Sequence, residues 1–88
     1  MTTHITVLDI KHQEIAENLE LVLTVDGAPR CYPTNIFDLN GIKGVAIADR
    51  DELIDILCRD RQKNREFMNL ILSVYKGQHE KFPVDFEF

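Results

Sequence analysis

With 88 residues, the chain has room for one hydrophobic core and not for two. Its residues are 44% hydrophobic and 28% charged, interleaved along the chain, which excludes a disordered or low-complexity protein. Fifteen acidic against ten basic residues leave a formal charge of -5, which disfavours attachment to nucleic acid or to an anionic membrane, and no apolar run is long enough to span a bilayer.

The first predicted element runs from Thr3 to Lys11, where Ile5, Val7, Leu8 and Ile10 fall on both faces of an extended segment, the pattern of a central or doubly covered strand. A polar connection over Gln13 to Asn18 follows. From Leu19 to Val25 the leucines and the valine alternate with Glu20 and Thr24, broken by Val22, so this is a half-buried strand. Asp26-Gly27 directly after it predicts a tight hairpin turn, because both central positions of a type I′ turn need positive φ; Pro29 lengthens the expected loop. A third strand is expected over Arg30 to Thr34, and Pro33, which lacks a backbone donor, places it on an edge. Asn35 to Gly41 reads as a short capped turn, and Val45 to Ala48 as a fourth strand or the lead into a helix.

Asp49 and Glu52 have capping-box spacing, so a helix is predicted from about Arg50. At 100° per residue Leu53, Ile54, Ile56 and Leu57 share one arc, and Phe67, Met68, Ile71, Leu72, Val74 and Tyr75 return to it. The helical span therefore extends to Lys76, with Gly77 as its stop and a kink or brief break near residues 60 to 64, where Asp60, Arg61 and Asn64 interrupt the stripe. Phe82, Val84, Phe86 and Phe88 then alternate with Pro83, Asp85 and Glu87, a final half-buried edge strand. The expected fold is α+β: an antiparallel sheet of three to five strands, a long or kinked C-terminal-half helix packed on one face, and a last strand at the C-terminus, all in one domain over residues 1–88.

No G-x-S-x-G, Walker A or G-x-G-x-x-G pattern occurs, and the three histidines, His4, His12 and His79, are too scattered to form a local metal motif. No catalytic residue or cofactor is called for. Cys31 and Cys58 lack disulfide or zinc spacing and are expected to be free and mostly buried; a nucleophilic Cys31 would need a histidine beside it. Met1 to His12 lacks the pattern of a secretory leader, so a cytoplasmic location is expected.

Three functional readings remain. The first is a noncatalytic protein-binding or regulatory module, acting as a homodimer or on a protein partner, through Phe82, Val84, Phe86 and Phe88 on the terminal strand or Asp51, Asp55 and Arg59 on the charged helix face. The second is RNA or single-stranded DNA binding through the GxxG segment, with Gly41, Lys43, Gly44, Arg61 and Arg65 as contacts. The third is an acidic mimic of nucleic-acid phosphates that blocks a basic enzyme.

Overall fold

Leu19, Leu21, Leu23 and Val25 are buried while their neighbours are half-exposed, and the strand they define is the middle of the sheet. The structure is a computed structural model that describes residues 2–13, 18–48, 51–78 and 80–88. Its elements are β1 (His4–His12), β2 (Asn18–Val25), β3 (Ala28–Leu39), β4 (Ile42–Ile47), α1 (Asp51–Leu57), α2 (Arg61–Tyr75) and β5 (Val84–Glu87). The strands form one sheet in the order β4-β3-β2-β1-β5, with every neighbouring pair antiparallel. Strands β1 to β4 are a meander, and β5 returns to the far edge. The connection must cross the sheet from β4 to β5, about 19 Å at the usual strand spacing. The 15-residue α2 is about 22 Å long by its rise, which suits that crossing.

One sheet face carries Ile5, Val7, Ile10, the β2 leucines, Tyr32, Ile36 and Ile47 against Leu53, Ile56 and Leu57 of α1 and Phe67, Leu70, Ile71 and Val74 of α2. Phe67 is fully buried and meets the Phe86 ring edge-on, with centroids 5.5 Å apart and planes at 69°. Beyond β5, Thr3 and Phe88 exchange backbone hydrogen bonds of 2.8 and 2.9 Å, so the ladder reaches Phe88.

Several local expectations need correction. The apolar residues of β1 do not cover both faces of a regular strand. Val7 pairs with Leu23 and Asp9 with Val22, so Leu8 is the extra residue of a β-bulge; it is exposed, and the bulge returns Ile10 to the face of Ile5 and Val7. Pro29 does not lengthen the first hairpin, whose turn is Asp26 and Gly27 alone, at φ 50° and 85°. Asn35 to Gly41 is not a capped turn: β3 continues to Leu39, and Gly41 supplies its positive φ to a second two-residue turn, with Asn40. Residues 45–47 belong to β4.

Strand β3 lies between β2 and β4, yet its prolines obey the edge rule locally. Val25↔Ala28 closes the two-residue turn, so alternate residues Ala28, Arg30, Tyr32 and Thr34 direct their backbone groups to β2, and Pro29 and Pro33 direct theirs away. The last β3–β4 pair is Thr34↔Ile47, so Pro29 lies beyond the reach of β4, and Pro33 sits at its end, where only its carbonyl is used, accepting from the Ala48 N–H at 2.8 Å.

The helical span is two helices. Asp60, at φ -142° and ψ 108°, is extended and caps α2, its carboxylate accepting from the Lys63 N–H at 3.1 Å. The break resets the helical phase: Ile54 is 37% exposed, and Leu70, outside the expected arc, is buried. Gly77 ends α2 as expected, at φ 85°, with its N–H on the Val74 carbonyl and that of Gln78 on the Ser73 carbonyl. The capping role expected of Asp49, the connection over residues 14–17 and His79 lie outside the described residues. No described helix is long and apolar enough to cross a membrane.

Candidate protein interface at the edge of the sheet

Strand β3 outruns β2. Its last described β2 partner pair is Asn18↔Asn35, whereas its pairing with β4 runs on to Leu39↔Ile42, so among the described residues the end of this hairpin is a two-stranded arm. The turn is held by Asp38, whose carboxylate accepts from the Gly41 N–H at 2.8 Å and from Lys43 Nζ at 2.9 Å. The Lys43 ammonium, with help from that N–H, holds Asp38 below the usual carboxylate range. Register places Phe37, Leu39, Ile42, Gly44 and Ala46 on the sheet face that the helices leave open. Phe37, Leu39 and Ile42 are 50%, 66% and 74% exposed. The Phe37 ring lies across Gly44 so closely that a Cβ there would sit 2.2 Å from it.

The two edges of the sheet differ. Strand β5 is four residues long, follows Pro83, and carries Asp85 and Glu87 on its exposed side, the features by which proteins protect an edge from foreign strands. Strand β4 has no proline or acidic residue and a single charge, Lys43. Because Leu39↔Ile42 closes a two-residue turn, Ile42, Gly44 and Ala46 direct their backbone groups to β3, and the Ala48 N–H continues this series onto the Pro33 carbonyl at 2.8 Å. By the same alternation Lys43, Val45 and Ile47 direct theirs outward. No described strand pairs with that side of β4.

The residues singled out in the sequence do not converge. Phe82, Val84, Phe86 and Phe88 pack on this chain's own core, half-buried or buried. Asp51 and Asp55 are exposed on α1; Arg59, in the turn after it, donates from Nη1 to the Thr3 hydroxyl at 2.6 Å. Gly41 and Gly44 belong to a β-hairpin, whereas the GxxG clamp of KH modules joins two helices; Arg61 and Arg65 lie apart from it, exposed on α2. The chain matches no protein-family model, no curated protein and no solved structure.

Both thiols are free, as expected, but exposed rather than buried, because Cys31 points to the open sheet face and Cys58 sits in the turn between the helices. Cys31 donates to the Glu20 carboxylate at 3.0 Å, and this hydrogen bond raises its pKa, which keeps the thiol protonated and a poor nucleophile. Glu20 also accepts from Gln13 at 3.2 Å, and these residues border an open groove of about 570 Å³ with Pro33, Asn35 and Ala46. A smaller recess of about 190 Å³ lies among Ile47, Leu53, Leu57, Cys58 and Met68, where Asn64 Oδ1 is a buried acceptor with no partner among the described residues. Among the described residues no group of three or more His, Cys, Asp or Glu converges as a metal site.

On the same open face Asp85 Oδ1 joins β5 to β1, lying 2.9 Å from His4 Nε2 and accepting from the Thr6 hydroxyl at 2.8 Å. The Asp85 hydrogen bond raises the His4 pKa above 6.5, and the His4 and Thr6 hydrogen bonds lower that of Asp85 below 3.8. The imidazolium's contribution to stability is complete below pH 6.5 and is lost as pH rises through its raised value. That of the carboxylate is complete above pH 3.8 and is lost as pH falls through its lowered value. The pair is exposed, so its effect on stability is small. The measurable consequence is an NMR titration of the His4 ring with a midpoint above the ordinary value, which returns toward it in Asp85→Asn; an unmoved midpoint would show that the pair does not form.

Proposed function

We propose that this chain is a small noncatalytic protein-binding module whose binding surface is the open edge of β4 with the hairpin tip beside it. One observation carries the reading: the edge that lacks protective features is also the edge flanked by Phe37, Leu39 and Ile42, the most exposed cluster of large apolar side chains among the described residues. An incoming strand would gain main-chain hydrogen bonds along β4, and the tip would supply the apolar contact that gives such interfaces their affinity. Two unpaired, exposed thiols fit a reducing compartment and hence action in the cytoplasm.

The test is a double substitution, Leu39→Lys with Ile42→Lys. Both side chains are mostly in solvent, so the melting temperature should stay close to that of the parent chain. Retention of bound protein should fall by roughly tenfold or more, as expected when two interface anchors are lost. Undiminished retention by a folded double variant would remove the hairpin from the interface.

A further inference from the structure

We infer that the recess between the end of β4 and the two helices binds a small apolar molecule carrying one hydroxyl, a phenol or a short alcohol, anchored on the Asn64 side chain. Ile47, which β4 contributes to it, lies at the opposite end of that strand from Ile42 and the hairpin tip. The inference is therefore independent of the protein-binding reading.

Asn64 is the residue that needs a reason. It stands in the first turn of α2, yet the start of that helix is complete without its side chain: the Asp60 carboxylate accepts from the Lys63 N–H at 3.1 Å, and the Asn64 N–H itself donates to the Asp60 carbonyl at 2.9 Å. Asn64 Oδ1 is nevertheless buried, with no hydrogen-bond partner among the described residues. An acceptor taken out of water and left unpaired destabilises the chain, and leucine at this position would suit both the helix and its neighbours better. A donor brought in by a ligand repairs that fault.

The rest of the recess sets the ligand's chemistry. Ile47, Leu53 and Leu57 are buried and apolar, while Ile54 and Cys58 are exposed and leave a way in from solvent. Met68 adds an adaptable thioether that packs well against an aromatic ring. The volume of about 190 Å³ suits a single ring, since an apolar cavity of about 150 Å³ is enough for benzene. A lone water is the poorer occupant: it needs two or more polar partners, and besides the Cys58 thiol Asn64 is the one polar side chain among the described residues that line the recess.

The test titrates the full chain, followed by NMR of its methyl groups, with phenol and with toluene, which match in shape and differ in the hydroxyl. Phenol should shift the methyl signals of Ile47, Leu53, Leu57 and Met68 and saturate. The ratio of phenol to toluene affinity should fall roughly tenfold in Asn64→Leu, the worth of one hydrogen bond to a buried group. Asn64→Ala, which cannot fill the recess, should show the same fall and guards against a leucine that closes it. The inference is overturned if phenol gives no saturable shift, if the shifts fall outside the recess, or if the ratio is unchanged in both variants, which would make the recess an apolar hole indifferent to Asn64. A long-lived water at the Asn64 amide that phenol does not displace would overturn it equally.

Discussion

Phe67→Ala is expected to cost about 3–5 kcal/mol, the range for emptying an aromatic site in a packed core. Phe67 has no solvent exposure, sits at the centre of the α2 face, and backs the Phe86 ring edge-on at 5.5 Å, so the cavity would open between the long helix and the terminal strand. A chain of this length has a total stability on the order of 4–13 kcal/mol at typical per-residue values, so the loss approaches the lower end of the whole. Urea unfolding should show a much lower midpoint with an unchanged slope, if the chain is folded at all. Phe37→Ala is the control: the same deletion at a half-exposed position on the arm should cost far less. Equal midpoints for the two variants would mean that the core is not organised around Phe67.

What could be read in advance follows from the range over which each signal acts. The alternation of β2, the Asp26-Gly27 turn, the alternation from Phe82 to Phe88 and the stop at Gly77 are local, depending on a handful of neighbouring residues, and each appears in the fold. The break between α1 and α2 is partly local: Asp60 interrupts the apolar stripe, and its capping bond to the Lys63 N–H is what the interruption means. Pro33 shows the limit. The rule that proline avoids a paired donor position holds, but whether that makes the strand an edge depends on how far β4 reaches, which is a property of another segment.

The interface was hidden for a similar reason. Four apolar residues on the terminal strand look unaccompanied in sequence, yet they pack on this chain's own core, Phe86 against Phe67 of α2, and nothing local to Phe82–Phe88 announces that. The uncovered residues are Phe37, Leu39 and Ile42, in a stretch that reads as a turn. A signal was available: Asn40-Gly41 between Leu39 and Ile42 is the sequence of a two-residue hairpin, the same logic that found Asp26-Gly27. The exposure of the tip, by contrast, depends on how far other strands reach beside it, and the last described β2 pair is Asn18↔Asn35, which no residue of the hairpin encodes.

The bulge at Leu8 allows register to be tested directly, since deleting one residue has opposite consequences in two neighbouring strands. Removing Leu8 brings Val7 beside Asp9, just as their partners Leu23 and Val22 are adjacent, so each observed β1–β2 pair is kept and the strand becomes regular. The side chain removed is itself 44% exposed. Removing Val22 instead brings Leu21 beside Leu23, which turns Leu19 and Leu21 toward solvent and Glu20 toward the core. Exposing those two leucines, now at most 1% exposed, costs roughly 1.5–3 kcal/mol each, and an unpaired carboxylate buried in their place adds to it. Strand β2 cannot slip back into place, because it is held in register by β3 as well as β1. The chain lacking Leu8 should therefore melt cooperatively near the parent temperature by circular dichroism, and the chain lacking Val22 should show no folded baseline. A cooperative transition in the second, or its loss in the first, would mean that the β1–β2 register differs from the one described.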